Sequence, residues 1–371
     1  MTDKKKIVLA GRCDHDNYGD SLMFSFYVKA LQSSYSVYLL NASSEFLARI
    51  REDGLHADNM PLEQLKSDPS VKGVMFVGGG YFGEPEIGKA KWSASFTSGY
   101  FPKVAAMLEQ ASVPYVIQGV EAGPISSQEV RAHIRTIMGN AGQVIVRNNA
   151  SLEFCREIGV DSPRFLPDVV LAGAKDFHSS QNFDQANTVE GEFDVAIHAT
   201  GRLFSANLLA RMNLTALVRE IRKKKLSRVA IFFDQMENQT KFLPAATALA
   251  GRLAGMGLSG EVFNYNGHAH LLNLIKRSRL VITTKLHAGM TAVSFGNKVM
   301  SISSAPKIKR FYQEAGLSAY HCGYFLTPPG KKARVLSEII RHEPLSVPAA
   351  LINGSRQNLT EVEEIEWKRY S

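Results

Sequence analysis

Thr283-Thr284-Lys285-Leu286-His287-Ala288-Gly289-Met290 sets a lysine and a histidine two residues apart, where an apolar strand, Leu280-Val281-Ile282, hands over to a helix. The N–H groups that open a helix lack partners within it and carry partial positive charge. An anion held by the backbone near Ala288 and Gly289 would lie beside His287 and within reach of the Lys285 ammonium. A proton donor next to an anion site suits chemistry on a phosphorylated or carboxylated substrate. For a His-Ala pair alone, a packed histidine at a helix start is the simpler reading, and other segments tip the balance.

Those segments also follow strand-like runs. Gly11-Arg12-Cys13-Asp14-His15-Asp16-Asn17-Tyr18-Gly19-Asp20 is an unusually polar strand-to-helix loop. Gly19 permits a tight turn there, while Asn17 and Asp20 either cap the helix or face a cleft as acceptors. Asp14, His15 and Asp16 are adjacent and cannot all point at one ion from regular structure, so no metal is expected. The run from Val74 to Val77 opens into Gly78-Gly79-Gly80, where something can approach the backbone closely. It is not a GxGxxG fingerprint, because a long polar loop is expected through Ser98, and no dinucleotide is implied. Gln118-Gly119-Val120-Glu121-Ala122-Gly123-Pro124 and Val146-Arg147-Asn148 follow two further strand ends. Arg147 suits a bidentate grip on a phosphate or carboxylate, and equally an ordinary ion pair. Leu166-Pro167-Asp168 ends the first half, where Asp168 can cap the turn. The aromatic residues Trp92, Phe96 and Tyr100 either stack on a sugar or anchor their loop to the core.

The elements that position these residues alternate. Strand-like runs at 6–10, 36–40, 73–77, 114–118 and 143–146 are separated by amphipathic stretches, with a helix expected at 150–158. A polar segment interrupts the pattern, which restarts with strands at 194–199, 228–233, 261–265, 280–282 and 298–302. Helices are expected between them at 203–224, 240–254, 269–277 and 287–295. This predicts an α/β chain of two Rossmann-like domains facing across a cleft, each with a parallel sheet covered by helices. The expected divisions are a first domain over 1–175, a linker over 176–193, a second domain over 194–345 and a terminal segment over 346–371. Helical spacing from Leu359 to Tyr370 suggests that this last segment packs back on the first domain.

Composition narrows the function classes. With 371 residues and 45% apolar content, the chain can bury two substantial cores. No run approaches the roughly 18 to 20 apolar residues of a membrane helix. Lys4-Lys5-Lys6 is not followed by an export signal, and Cys13, Cys155 and Cys322 are too sparse for a disulfide framework, so a reducing cytoplasm is expected. The formal charge of +8 attracts anionic substrates and the inner face of a membrane. No nucleic-acid-binding pattern accompanies it.

Taken in order, Asn17-Tyr18-Gly19-Asp20, Gly78-Gly79-Gly80, Gly119 to Pro124, Arg147 to Ser151, Pro167-Asp168, Lys285-Leu286-His287-Ala288, and Lys307 leading to Phe311 and Gly316 resemble the polysaccharide pyruvyl transferase family. Two positions depart from the family pattern. Lys285 stands where arginine is usual, keeping the charge without the planar fork, and Asn148 stands where aspartate is usual.

The resemblance implies a GT-B-like build and transfer of a pyruvyl group from phosphoenolpyruvate onto a sugar of a polysaccharide or its precursor, as a ketal. On this reading His287 is the general acid and Asp20 receives the hydroxyl proton. Lys285, Arg147, Lys307, Ala288 and Gly289 hold the donor, while Asn17, Gly19, Gly78, Gly79, Gly80 and Glu121 line the acceptor side or cleft. No metal or further cofactor is implied. The partners are phosphoenolpyruvate and a saccharide, free or lipid-linked, with peripheral contact at the inner membrane face and no nucleic acid. A nucleotide-sugar glycosyltransferase and a non-catalytic saccharide-binding protein on the same fold are the alternatives.

Overall fold

Lys6–Ala10 (β1) is buried over its last four residues, as expected for a parallel strand covered on both faces. The computed structural model describes residues 4–85, 88–97, 99–180, 189–344, 346–365 and 367. β1 lies in the interior of a seven-stranded sheet with Ser36–Leu40 (β2), Asp58–Met60 (β3), Val71–Val77 (β4), Tyr115–Val120 (β5), Val144–Val146 (β6) and Arg164–Phe165 (β7). The order is β3-β2-β1-β4-β5-β6-β7, and every pairing is parallel. The chain therefore runs outward from β1 to one edge, returns beside β1 and fills the other edge. The order reverses between β1 and β4.

The second sheet repeats this plan with Val195–His198 (β8), Arg228–Phe232 (β9), Ser259–Phe263 (β10), Leu280–Thr283 (β11), Lys298–Ile302 (β12) and His321–Cys322 (β13). Its order is β10-β9-β8-β11-β12-β13, again all parallel, with the reversal between β8 and β11. In such sheets the strand ends at the reversal are where ligands bind.

The chain divides into two compact units. The first comprises Met1–Asp16, Asp20–Val169 and Asn353–Ser371, the second Asn17–Gly19 and Val170–Ile352. These bounds differ from the expected ones, the second unit ending at Ile352 rather than at residue 345. The helix Val170–Ser180 presents Val170, Leu171, Ala174 and Phe177 as a buried face and packs on the helix Leu286–Ser294, so the second unit starts well before residue 194. The expected linker over 176–193 thus begins inside this helix, and its 181–188 portion lies outside the described residues. The tripeptide Asn17–Gly19 groups with the second unit although its sequence neighbours belong to the first.

Within the first unit, buried Asn358 of the helix Ala349–Thr360 accepts from Gln118 Nε2 (2.8 Å) and donates to the Pro167 carbonyl (3.0 Å). Ser355 donates to the Asp168 carbonyl (2.7 Å). This helix ends at Thr360 rather than spanning 359–370, and residues 366 and 368–371 lie outside the described set.

The long loop expected after the glycine cluster contains a helix, Lys89–Thr97. Its aromatic residues anchor it to the core: Trp92 donates to the Tyr81 carbonyl (2.9 Å), and Phe96 stacks on Phe101 with centroids 4.6 Å apart.

Candidate active site

The reversal in the second sheet joins His198, the last residue of β8, to Thr283, the last residue of β11. His198 Nδ1 lies 3.0 Å from Thr283 Oγ1, and the imidazole stacks on Phe232 of the neighbouring β9. Nε2, the other ring nitrogen, lies 3.1 Å from Oδ1 of Asp234, two residues beyond the end of β9. Asp234 Oδ2 lies 3.3 Å from Lys285 Nζ, and Asn238 donates to Oδ1 (2.6 Å). One buried carboxylate thereby gathers a histidine, an amide and a lysine at the ends of three adjacent strands.

Burial alone would raise the Asp234 carboxyl, but the charge of His198, its ring contact, the Lys285 ammonium and the Asn238 amide outweigh it. The group is held well below the usual carboxylate range. His198 is fully buried, whereas the Lys285 side chain is 44% exposed and can reach a ligand while still anchored by Asp234.

Lys285 is also the N-cap of the helix Leu286–Ser294, in extended conformation and without a side-chain capping bond. Its own N–H donates to Thr283 Oγ1 (3.1 Å). The N–H groups of Leu286, His287 and Ala288 precede the first intrahelical bond, so they have no acceptor within the helix. That first bond runs from the Gly289 N–H to the Lys285 carbonyl (3.4 Å). Gly289 is therefore spent within the helix rather than open to a donor, and its missing side chain makes room for the Tyr312 hydroxyl. Ala288 is buried and can offer only its N–H.

His287 is half-buried against the tripeptide that joined this unit. A Cβ on Gly19 would fall 1.9 Å from His287 Nδ1, so only glycine lets the imidazole lie there. Tyr18 secures the tripeptide, its N–H donating to the Asp234 carbonyl (3.0 Å) and its hydroxyl lying 2.7 Å from Thr291 Oγ1. Asn17 is half-buried in the same tripeptide.

Strand ends on either side extend the edge. Thr200 and Thr284 hydroxyls lie 2.8 Å apart, and Arg202 donates to Ser303 Oγ beyond β12. Lys307 is exposed in the first turn of the helix Pro306–Glu314 that follows β12. The edge thus collects Arg202, Lys285, His287 and the start of the helix Leu286–Ser294, an arrangement fit to hold a small anion and deliver a proton to it.

In the first unit, Gly78 and Gly79 turn with φ of +57° and +76°, which L side chains rarely adopt, and the Gly79 carbonyl accepts from the Glu121 N–H (3.0 Å). Half-buried Asp20 lies beside this turn, its Oδ1 3.7 Å from where a Gly79 Cβ would stand. Gly80, following them, is half-buried.

Arg147, expected on the donor, is placed differently. Its side chain is 3% exposed, with one nitrogen 2.7 Å from Glu121 Oε2 and another 2.9 Å from Asp168 Oδ2. Burial works against its charge, but the Asp168 and Glu121 carboxylates more than offset this and keep the guanidinium protonated. Glu121, expected toward the acceptor, is committed to the same buried triad. Asn148 caps the helix Asn149–Glu157 by accepting from the Ser151 N–H (2.8 Å), a role asparagine and aspartate fill about equally well. In the polar loop, His15 pairs with Asp14 and Asp16 with Arg49, so the three adjacent residues do not converge.

The sequence profile of the polysaccharide pyruvyl transferases matches residues 17–306, from the tripeptide beneath His287 to the first residue of the helix Pro306–Glu314. The chain belongs to the polysaccharide pyruvyl transferase family. No curated protein matches this sequence.

Among solved structures, this pyruvyl transferase family member is similar to the UDP-GlcNAc 2-epimerase of Methanocaldococcus jannaschii, at 11% identity and TM-score 0.63 over 97% of this chain and 98% of that one. The Neisseria meningitidis UDP-GlcNAc 2-epimerase bound to UDP-GlcNAc is similar at 10% identity and TM-score 0.62, over 98% and 100% of the two chains. Anabaena Alr3699/HepE in complex with UDP and glucose is similar at 11% identity and TM-score 0.55, over 97% and 95%. At such identities the likeness establishes the fold, two parallel-sheet α/β units of GT-B-like type.

His198, Asp234, Thr200 and Arg202 were not singled out by sequence reasoning. Their signal was polar residues closing apolar runs, as in Val195-Ala196-Ile197-His198 and Ile231-Phe232-Phe233-Asp234.

Two measurements check these assignments. Arg147→Ala strands Glu121 and Asp168 as buried unpaired carboxylates and is expected to cost about 3–5 kcal/mol in chemical denaturation; an unchanged midpoint would show that the triad does not support the first unit. Because the folded Asp234 carboxyl is depressed, its stabilisation is complete above about pH 5 and is lost as pH falls below about 4. Asp234→Asn is expected to flatten the acid limb of the stability curve while lowering stability at neutral pH, and an acid limb identical to wild type would contradict the pairing.

Proposed function

We propose that the protein transfers a pyruvyl group from phosphoenolpyruvate onto two hydroxyls of a sugar, giving a ketal. The observation that carries this reading is the Lys285 ammonium, anchored on Asp234, two residues from His287 at the start of a helix that the Lys285 side chain does not cap, on the switch-point edge of the second sheet. Family membership supports a transferase, and the choice of donor rests on this chemistry. Phosphoenolpyruvate carries a phosphate and a carboxylate, and Lys285, Arg202 and the opening N–H groups of the helix Leu286–Ser294 offer complementary contacts, with Lys307 adding positive charge.

His287 acts as general acid. The electron pair of the donor's C=C bond takes its proton, the methylene becomes a methyl group, and the central carbon becomes electrophilic. One sugar hydroxyl adds its oxygen to that carbon and gives its proton to a base, for which Asp20, next in the chain after Gly19, is the candidate. The carbon–oxygen bond to phosphate then breaks with its electron pair, and a second hydroxyl adds to close the ketal. Of the two hydroxyl protons, one balances the proton now in the methyl group and the other leaves on phosphate. Arg147 and Glu121 do not touch the donor on this reading; they brace loops of the first unit.

The test is phosphate release from phosphoenolpyruvate across a panel of nucleotide-linked and lipid-linked sugars. Sugar-dependent release is expected, with His287→Ala slower by roughly 10² to 10⁴. Near-normal turnover in a folded His287→Ala protein would remove His287 from the mechanism. Release of a nucleoside diphosphate with phosphoenolpyruvate untouched would replace pyruvyl by glycosyl transfer, and saccharide binding without reaction would mark a non-catalytic protein.

A further inference from the structure

The helix Leu208–Lys223 opens with two apolar residues in solvent, Leu208 and Met212, one turn apart. A second pair follows β13: Phe325 is 71% exposed and Leu326 91% exposed, in the segment leading to the helix Pro329–Arg341. Single exposed apolar residues are ordinary, but two adjacent bulky ones on a connecting segment, exposed to this degree, are not.

The two pairs share a base. Lys332 is fully buried, and its ammonium donates to Asn213 Oδ1 (2.9 Å) and the Tyr324 carbonyl (2.8 Å) while lying 5.6 Å from the Tyr324 ring centroid. Asn213 directly follows Met212, and Tyr324 directly precedes Phe325. The same segment is fixed by Ser304, whose hydroxyl accepts from the Tyr324 N–H (3.1 Å), and by Arg202, 5.9 Å from the Tyr324 ring centroid. Burying an ammonium is costly, so this arrangement holds Phe325 and Leu326 out on a fixed base rather than leaving them on a slack loop.

Around these residues cations predominate, the nearest acidic residues along the two helices being Glu220 and Glu338, the latter paired with Arg341. Arg211, Lys331 and Arg334 are exposed on the two helices, with Arg219, Arg222 and Lys223 further along the first. Neither 208–219 nor 323–337 contains an aspartate or glutamate. Exposed bulky apolar side chains flanked mainly by cations suit the interface of an anionic bilayer, where apolar groups enter the headgroup boundary and cations meet lipid phosphates.

We propose that this surface of the second unit docks on an anionic membrane, with Phe325 and Leu326 inserted and Arg211, Lys331 and Arg334 against the headgroups. The inference goes beyond the transfer reaction and does not depend on its donor.

Sedimentation of the full chain with vesicles tests it. Binding is expected to vesicles of equal phosphatidylglycerol and phosphatidylcholine, weaker on pure phosphatidylcholine, and falling as salt rises. A Phe325→Ser, Leu326→Ser double variant is expected to bind at least tenfold more weakly with an unchanged thermal midpoint, and an Arg211→Gln, Lys331→Gln, Arg334→Gln variant is expected to lose the preference for anionic lipid. Absence of binding by the wild type, or undiminished binding by the double variant, would overturn the proposal. A concentration-dependent dimer in light scattering that the double variant abolishes, without vesicle binding, would assign the surface to a second copy of the chain instead.

Discussion

The second unit's site depends on one buried carboxylate. Asp234 is removed from water at the sheet's reversal point, and an isolated charge there would be strongly unfavourable. It is tolerated because His198, Lys285 and Asn238 converge on it from three neighbouring segments. The same contacts fix the ring orientation of His198, aim the Lys285 stem along the edge and leave that ammonium half in solvent. The backbone carbonyl of Asp234 meanwhile receives the Tyr18 N–H, which seats Gly19 beneath His287. Residues distant in sequence are thus placed around one point by a single requirement, that a buried anion be neutralised.

The two units use cations in contrasting ways. Arg147 has its planar fork divided between two buried carboxylates, so its charge is consumed internally and its consequence is rigidity. Lys285 shares one carboxylate with other donors and keeps much of its surface, so its charge stays available. A lysine suits this position because its flexible stem lets the ammonium remain paired to Asp234 while turning toward a ligand. The family's usual arginine would offer a forked contact there; lysine supplies a point charge.

Much of the fold was legible because parallel strands buried on both faces are continuous apolar runs, and β1, β2 and β12 coincide with their expected limits. The short strands β3, β7 and β13 were not legible: two or three residues show no period, and pairing with a neighbour defines them. Lys89–Thr97 was hidden because its mixed small, basic and aromatic composition lacks a clean apolar stripe, and contact of Trp92 and Phe96 with the core stabilises it. At the site, His287 and Lys285 stood out because they flank a strand-to-helix junction. His198 and Asp234 did not, since a single polar residue closing an apolar strand reads the same whether it caps, packs or pairs. The fate of Arg147 was equally undecidable, because its two partners lie 26 and 21 residues away and meet it only through sheet order.

The central claim, that the edge around Asp234 holds an anionic donor through Lys285, is tested most directly by calorimetric titration of phosphoenolpyruvate into the wild-type protein and a folded Lys285→Ala variant. The account requires saturable binding to the wild type that weakens at least tenfold in the variant, the loss expected for about 1.4 kcal/mol of contact. Equal affinity in both proteins, or no phosphoenolpyruvate binding to the wild type, would contradict it.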